Sequence, residues 1–285
     1  MSAFARPGLF RSTAQVAASL GDPSVRIVDC RFTFEGTGDA MYRAGHLPGA
    51  VHCDWSRDLS APPPSSGHPR WMLLDAEGFA RAMGRLGIGD DTTVIAYDAE
   101  GGHHAARLWL GLRRYGHDRC AVLEGGIQAW EREGRALETA IPPPPPPTTF
   151  TPRPRDGVVA SLEDVRAAVR VGDPWLLDVR RESEYTGAEA RAKHGGHIPG
   201  AVLLPWDTAL TPERMLRDPD ELEALYASSG FGAETATVTY CQGGVRAAFT
   251  HLVLTALGHD DVRTYDGSWE EYGNRDDVPI VVGRS

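Results

Sequence analysis

The chain contains two copies of one sequence pattern, and this duplication sets the number of domains. The segment "GHLPGAVHCDW" begins at Gly45 and "GHIPGAVLLPW" begins at Gly196, and each ends in a tryptophan, Trp55 and Trp206. Three further pairs occur in the same order in both halves. One pair precedes these segments, "RIVDCR" with "WLLDVR", and two come after them, "TVIAYDAEGG" with "TVTYCQGG" and "GHDRCAVLEGG" with "GHDDVRTYDGS". Ordered repeats of this kind indicate two copies of one fold, each of about 130 residues.

A proline-rich segment, "IPPPPPPTTFTPRPR", separates the two copies. Consecutive prolines donate no backbone hydrogen bonds and favour an extended polyproline II conformation, so the segment is predicted to be a stiff spacer. A ligand for an SH3-type partner is the alternative. We predict a first domain over residues 1–140, a linker over 141–157 and a second domain over 158–285.

Short β-branched segments alternate with longer helical ones in each copy. The first copy predicts strands in "VRIVDC", "TVIAY" and "CAVLEGG" and helices in "AEGFARAMGRLG", "HAARLWLGLRRYG" and "IQAWEREG". The second copy predicts strands in "WLLDV", "ATVTY" and "VRTYD" and helices in "LEDVRAAVRVG", "DELEALYASSG" and "VRAAFTHLVLTALG". Apolar strands separated by helices are typical of parallel sheets covered on both faces. The predicted fold class is α/β, with two tandem domains that each hold a parallel sheet flanked by helices. Binding sites in such sheets lie beyond the carboxyl ends of the strands.

Composition and charge exclude several classes of partner. A formal net charge of −10 argues against nucleic acid and against an anionic membrane surface. No apolar run approaches the roughly 20 residues of a membrane span, and the first residues lack the pattern of a signal peptide. We therefore expect a cytoplasmic protein with reduced thiols, and the absence of CxxC spacing predicts no metal and no cofactor.

Cys241 occupies an unusual position, since it follows a strand and precedes two glycines and a helix. Loop N–H groups, the start of the helix and Arg246 would favour the thiolate over the thiol. The first copy carries Asp98 at the equivalent place and is predicted to be inactive. The alternative is an inert, buried cysteine at the end of a strand. Three other cysteines are interpreted as small apolar fillers: Cys30, Cys53 and Cys120.

The spacing between Cys241 and Arg246 separates two cysteine chemistries. Tyrosine phosphatases use C-x5-R, a loop that wraps a phosphate group, whereas this chain has C-x4-R. The smaller loop fits one sulfur atom better than a tetrahedral phosphate. Sulfur transfer is therefore favoured over a cysteine phosphatase or an arsenate reductase.

The chain resembles the two-domain rhodanese family, the thiosulfate and 3-mercaptopyruvate sulfurtransferases. The resemblance rests on paired "D-x-R" strands (Asp29 and Arg31, Asp178 and Arg180), paired "GH[LI]PGA" segments, the loop "CQGGVRA" and the segment "YDGSWEEYG". It implies that Cys241 takes a sulfane sulfur as a persulfide from a small anionic donor. A thiophilic acceptor then receives the sulfur: cyanide, a thiol or a thioredoxin-like protein. The implied persulfide cradle comprises Gln242, Gly243, Gly244, Val245 and Arg246. A non-catalytic sulfur carrier is a further alternative.

The same resemblance bears on the sulfur donor. Family loops resembling "CRKGVT" accompany thiosulfate and those resembling "CGSGVT" accompany 3-mercaptopyruvate, and "CQGGVR" matches neither. Glu184 stands where the family has a donor-binding arginine, and it would repel an anion unless it pairs with Arg180 or Arg181. The segments "EYTG" and "YDGSWEEYG" favour thiosulfate, with 3-mercaptopyruvate as the alternative. The implied donor-binding residues are Arg191, Arg180 and Trp269.

Two adjacent histidines, His103 and His104, could suggest a metal pair. Neighbouring residues on a helix point in different directions, so we predict that both are surface residues. Trp55 and Trp206 are equivalent by the repeat and are predicted to pack in the domain interface or the core.

Overall fold

The computed structural model describes residues 3–143, 145–146, 148–173 and 175–284. Within this part of the chain the first half forms a sheet of parallel strands with the order β1-β5-β4-β2-β3. The strands are Phe10–Arg11 (β1), Val25–Asp29 (β2), Val51–His52 (β3), Thr93–Tyr97 (β4) and Cys120–Leu123 (β5). The helices are Thr13–Ala17 (α1), Gly38–Ala44 (α2), Trp55–Asp58 (α3), Ala76–Arg85 (α4), His103–Arg114 (α5) and Gly126–Arg132 (α6).

The second half repeats the architecture, with a parallel sheet in the order β6-β10-β9-β7-β8. Its strands are Val159–Ala160 (β6), Trp175–Asp178 (β7), Val202–Leu203 (β8), Thr237–Tyr240 (β9) and Val262–Tyr265 (β10). Its helices are Leu162–Val171 (α7), Glu182–Thr186 (α8), Pro219–Ser228 (α9), Val245–Leu257 (α10) and Ser268–Tyr272 (α11). The prediction of two tandem α/β domains with parallel sheets is confirmed.

Local sequence explains why the longer elements begin and end where they do. Helix α7 starts with a capping box between Ser161 and Asp164 and stops at Gly172, which adopts the left-handed conformation that favours glycine. The central strands were predicted because they are short runs rich in apolar or β-branched residues that separate helical segments. The edge strands β1, β3, β6 and β8 were not predicted, since two residues carry no readable periodicity.

Helices α5 and α10 are equivalent in the repeat, and they pack against each other where the two halves meet. Residues 103–112 of α5 are all buried, and every residue of α10 except Arg246 is buried. A helix that is covered on all sides belongs to the interior of a protein. One hydrophobic core therefore runs from the first sheet through both helices to the second sheet, and residues of the first half can reach the loop of Cys241.

The second part of the predicted linker contacts the first domain. The polyproline II prediction includes Pro144 and Pro147, which lie outside the described residues. The following segment packs on the first domain, because the ring of Phe150 is buried with its centroid 5.6 Å from that of Phe79. The N–H group of Arg153 also donates to the carbonyl of Tyr115 at 2.9 Å. Burial of an apolar ring thus draws the second half of the linker onto the first domain.

Two findings concern the environment of the chain. No helix in the described part of the structure is long and apolar enough to cross a membrane. All four cysteines are free and buried.

Candidate active site

Cys241 follows β9 directly, and the first turn of α11 fixes its backbone. The N–H group of Cys241 donates to Ser268 Oγ at 3.2 Å, and its carbonyl accepts from the N–H group of Trp269 at 2.9 Å. The next carbonyl, that of Gln242, accepts from the N–H group of Glu270 at 2.8 Å. The side chain of Cys241 is almost completely buried, with 1% of its surface exposed. The segment "YDGSWEEYG" therefore supports the cysteine loop.

The two glycines after Gln242 are required by close neighbours from the first domain. Gly244 has φ +76°, and a Cβ there would lie 2.7 Å from Arg107 Nη1. A Cβ on Gly243 would lie 2.7 Å from Cε3 of Trp71. Side chains at either position would push the first domain off the loop. The cysteine-free domain is thus a part of the site.

The equivalent loop of the first domain shows what this backbone shape binds. Oδ1 of Asp98 accepts from the N–H groups of Glu100 and Gly102, both at 2.8 Å. Oδ2 accepts from the N–H groups of His104 at 2.8 Å and Ala105 at 3.2 Å. A strand end followed by a glycine turn and a helix start collects N–H donors around an anion. In this domain the anion is the protein's own carboxylate.

Strand register places Cys241 at the position of Asp98. Each residue follows a tyrosine, Tyr240 or Tyr97, that pairs with the aspartate of a "D-x-R" strand. The first loop is one residue longer, since α5 begins five positions after Asp98 and α10 begins four positions after Cys241. The groups equivalent to the N–H donors of Gly102, His104 and Ala105 are therefore those of Gly244, Arg246 and Ala247. Ala247 was not among the cradle residues predicted from the sequence.

Cys241 opens onto a pocket of about 350 Å³ between the two domains. Arginines line the wall that belongs to the second domain: Arg181, Arg191, Arg214 and Arg246. Aromatic side chains line much of the rest: Phe32, Phe34, Trp55, Trp71 and Trp206. This aromatic wall was not predicted from the sequence. The one feature that could have indicated it is the pair of tryptophans, Trp55 and Trp206, that follow the two "GH[LI]PGA" segments. The pocket thus combines four guanidinium groups with apolar surface, and three carboxylates also line it: Glu35, Glu100 and Asp207.

The sequence matches the description of a rhodanese-like domain twice, over residues 12–133 and over residues 161–275. The chain belongs to the rhodanese family. A sulfur carrier protein, TtuD from Thermus thermophilus, is 35% identical, with 98% of this chain and 99% of the relative covered. A thiosulfate sulfurtransferase from Corynebacterium glutamicum is also 35% identical, over 99% of this chain and 93% of the relative.

A solved structure agrees with the fold of this rhodanese. SseA from Escherichia coli, described as a 3-mercaptopyruvate sulfotransferase, superposes with a TM-score of 0.82 at 30% identity. The superposition covers 92% of this chain and 99% of SseA. The resemblance stated from the sequence motifs is confirmed.

Glu184, which stands where the family resemblance implied a donor-binding arginine, is neutralised by Arg246. The guanidinium of Arg246 binds both carboxylate oxygens of Glu184, at 2.7 and 2.8 Å, and Arg191 Nη1 lies 3.6 Å from the same carboxylate. The guanidinium belongs to Arg246 rather than to Arg180 or Arg181, the two partners considered from the sequence; Arg181 contributes a backbone N–H group at 3.2 Å. Burial opposes ionisation of Glu184, but the hydrogen bonds from Arg246 outweigh it and lower the pKa to about 2. The carboxylate therefore presents little net negative charge to a donor.

This ion pair predicts a pH-dependent contribution to stability. Because the pKa of Glu184 is about 2 in the folded protein and 4.5 as a free group, its contribution of about 3 kcal/mol is complete above pH 4.5 and declines as the pH falls toward 2. We expect Glu184→Gln to lower the free energy of unfolding at pH 7 and the difference from the natural protein to shrink between pH 5 and pH 3. Urea unfolding of the natural protein and the variant at pH 7, 5 and 3 measures this difference in the free energy of unfolding. Glu163→Gln, at an exposed i,i+3 pair with Arg166, is the control, and a pH-independent difference for Glu184→Gln would contradict the assignment.

Arg180 and Trp269 lie outside the pocket, contrary to the donor-binding role that the resemblance implied. Arg180 is buried, pairs with Asp178 at 2.6 Å and donates to the carbonyl of Gly196 at 2.8 Å. Its guanidinium carbon lies 4.5 Å from the ring centroid of Trp269, which is itself buried. Arg31 makes the same contacts in the domain without the cysteine. These "D-x-R" arginines tie the strand end to the "GH[LI]PGA" turn, and Arg191 is the one of the three predicted donor-binding residues that reaches the pocket.

The prediction of surface positions for His103 and His104 is wrong. Each is only 7% exposed, and their ring centroids lie 4.0 Å apart in the pocket wall. Packing of α5 against the second domain covers sides of the helix that would face water in an isolated copy. Among the described residues, Asp98, His103 and His104 form the one group whose donor atoms lie close enough to hold a metal, within 4.8 Å. The oxygens of Asp98 already accept the loop N–H groups, so we assign no metal here.

Two carboxylates of the second domain hold a segment of the first domain over the cysteine loop. Asp266 binds Nη1 of the fully buried Arg107 at 2.5 Å and accepts from the N–H group of Leu73 at 2.7 Å. Glu270 accepts from Arg70 Nε at 2.6 Å and, more weakly, from Gln242 Nε2 at 3.3 Å. These contacts were not predicted from the sequence, because nothing local pairs residues of the two domains that lie 159 to 200 positions apart.

Proposed function

We propose that this rhodanese is a sulfurtransferase that moves a sulfane sulfur from thiosulfate, through a persulfide on Cys241, to a thiophilic acceptor. The observation that carries the proposal is the carboxylate of Asp98 bound by backbone N–H groups in the equivalent loop. That loop is an anion receptor filled by its own side chain. With Cys241 in place of Asp98, the receptor is available for an anionic sulfur attached to the cysteine. The proposed cradle is Gln242, Gly243, Gly244, Val245 and Arg246, extended by the N–H group of Ala247.

The first half-reaction loads the cysteine. The thiolate of Cys241 attacks the outer sulfur of thiosulfate, a new S–S bond forms, and the old S–S bond breaks. Sulfite leaves with the electron pair of the broken bond. Loop N–H groups then stabilise the charge on the terminal persulfide sulfur, as they stabilise the Asp98 carboxylate in the first domain.

The second half-reaction returns the cysteine to its starting state. A nucleophile, such as cyanide or a thiolate, attacks the terminal sulfur, and the bond between the two sulfurs of the persulfide breaks. Cys241 leaves as the thiolate with the electron pair, and cyanide becomes thiocyanate. The cycle has two separate transfers and needs no external oxidant or reductant.

Charge in the pocket supports a small anionic donor. Arg246 is engaged by Glu184, and Arg191 lies 3.6 Å from the same carboxylate; Arg181 and Arg214 also line the cavity. The backbone of Arg191 contacts the loop, since its carbonyl accepts from Gln242 Nε2 at 3.1 Å. The relative from Corynebacterium glutamicum is named a thiosulfate sulfurtransferase, which favours thiosulfate over 3-mercaptopyruvate. The name of the Thermus thermophilus relative supports a sulfur carrier as the second candidate.

A comparison of donors tests the proposal. With cyanide as the acceptor, we expect kcat/KM for thiosulfate to exceed that for 3-mercaptopyruvate by about tenfold or more. Thiocyanate formation measures both rates in one preparation. A higher value for 3-mercaptopyruvate would reverse the donor assignment. A protein that gains one sulfur from thiosulfate but does not turn over with cyanide would instead be a carrier.

A further inference from the structure

We propose that Trp71, contributed by the domain without the cysteine, determines which acceptors reach the persulfide of Cys241. Its indole admits small thiols and cyanide and excludes thiols flanked by bulky groups, such as a cysteine on the surface of a folded protein. The inference rests on the proposed function and deepens it, because it narrows the class of acceptor. Trp71 acts on specificity in this role and takes no part in the bond changes.

Trp71 lies on a loop of the first domain that is closed at its base. Ser60 and Leu73 form an antiparallel bridge, and the N–H group of Ala61 donates to the carbonyl of Met72 at 2.7 Å. Trp71 is the next residue inside these pairs, at the point where the chain leaves the base of the loop. Its backbone is therefore tied to the body of the first domain.

The indole of Trp71 lies on the cysteine loop. A Cβ added to Gly243 would lie 2.7 Å from Cε3 and 3.4 Å from Cζ3 of the indole, so the ring contacts the backbone two positions after Cys241. Trp71 and Gly243 both line the pocket onto which Cys241 opens. An acceptor that reaches a sulfur held by this loop therefore has to fit beside the indole.

Neighbouring aromatic rings place Trp71 at the boundary between the rim and the interior of the pocket. The centroids of Phe34 and Trp55 each lie 6.1 Å from that of Trp71. Phe34 is 67% exposed, Trp71 is half-buried and Trp55 is 3% exposed. Exposure thus decreases from Phe34 through Trp71 to Trp55, and the indole narrows the pocket where solvent gives way to the covered interior.

The backbone of Trp71 has a conformation that bulky residues avoid, with φ +65°. Two other non-glycine residues in the described part of the chain have positive φ, Arg214 and Ser268. Arg214 also lines the pocket, and Ser268 Oγ accepts from the N–H group of Cys241. Strained residues of this kind cluster at functional sites, where the surrounding structure holds them. The strain at Trp71 therefore points to a functional position of its indole.

Contacts around Trp71 hold this conformation. Its carbonyl accepts from Arg107 Nη2 at 2.6 Å, and the preceding residue, Arg70, pairs with Glu270 of the second domain at 2.6 Å. The guanidinium carbon of Arg70 also lies 4.3 Å from the centroid of the indole, which is a cation–π contact. A bulky acceptor displaces the indole only by breaking these contacts, so the ring is a fixed limit on size.

Single-turnover discharge of the loaded, full-length protein tests the inference. The natural protein and Trp71→Ala are loaded with thiosulfate, and the added sulfur is verified by intact mass. Its loss is then timed with two neutral thiols, 2-mercaptoethanol and the blocked tripeptide N-acetyl-Gly-Cys-Gly-amide. Comparing the ratio of the two rates between proteins removes the difference in intrinsic reactivity of the thiols.

We expect the natural protein to prefer 2-mercaptoethanol and Trp71→Ala to reduce that preference by about tenfold or more, because the indole obstructs the bulkier thiol. Trp71→Phe, which has a smaller ring, should reduce it by a smaller factor. Trp175→Ala is the matched control, since Trp175 is also partly exposed but begins β7 and packs against Gly230, outside the pocket. It should keep the natural preference.

An unchanged or larger preference in both Trp71 variants would overturn the inference. Equal slowing of both thiols would overturn it as well, because it shows that the indole only supports the structure of the loop. In either case the natural protein would still gain one sulfur from thiosulfate, and the persulfide mechanism would stand. Failure of the natural protein to gain sulfur would overturn the proposed function and this inference with it.

Discussion

Replacement of Cys241 by alanine is expected to abolish sulfur transfer. The variant keeps the loop but has no atom that can form an S–S bond with the donor, so thiocyanate formation should fall by at least about a thousandfold. After treatment with thiosulfate, the natural protein should gain the mass of one sulfur atom and Cys241→Ala should gain none. The expectation follows from the position of Cys241 at the end of β9 in the interdomain pocket.

Cys120→Ala is the matched control for this prediction. Cys120 is also a buried free thiol, but it is the first residue of β5. It therefore lies at the amino ends of the strands of the first sheet, away from the pocket of Cys241. We expect this variant to load sulfur and turn over at close to the natural rate. Sulfur loading or thiocyanate formation that survives in Cys241→Ala would reject the persulfide mechanism.

Replacement of Arg107 by methionine is expected to lower the free energy of unfolding more than Glu184→Gln or Arg119→Met. Arg107 is 0% exposed, and its charge is matched by Asp266 of the other domain at 2.5 Å. Removing one partner leaves a buried carboxylate without its counter-charge, which costs about 3–5 kcal/mol. The free energy of unfolding in urea should fall by that amount. Loading of Cys241 should also slow, because Arg107 lies against Gly244 of the cysteine loop.

An exposed ion pair in the same domain provides the comparison. Arg119 lies 3.4 Å from Asp91, and both side chains are mostly exposed, so Arg119→Met should change the free energy of unfolding by less than about 1 kcal/mol. Arg107→Met combined with Asp266→Leu should recover much of the loss in stability, since the uncompensated charge is then gone. If Arg107→Met were as stable as Arg119→Met, the buried pair would not be holding the domains together.

The repeat explains why so much of the fold could be predicted. Each copy carries its own alternation of strand and helix, and two copies in the same order predicted two equivalent sheets. The strand orders β1-β5-β4-β2-β3 and β6-β10-β9-β7-β8 agree with that prediction element by element. The short edge strands, the short helices α1, α2, α3, α8 and α11, and the packing of α5 on α10 required the three-dimensional structure.

The predicted site residues divide according to the range of the interactions that place them. The cysteine loop is local, because Cys241, Gly243, Gly244 and the start of α10 are consecutive. Arg191 lies 50 positions from Cys241 and was located through the family resemblance; the structure brings it to the same pocket. Arg180 and Trp269 were assigned by the same route, but they pack beneath the site.

The sequence alone determined that this protein has two copies of one α/β fold, with a cysteine at a strand end in one copy and an aspartate at that place in the other. Those features depend on consecutive residues, and backbone geometry follows from them directly. The tertiary structure decided that Arg246 neutralises Glu184, that Arg107 and Trp71 close over the loop, and that His103 faces the pocket. These pairings join residues far apart in the chain, and they form only when α5 and α10 are packed together and water is excluded between the domains.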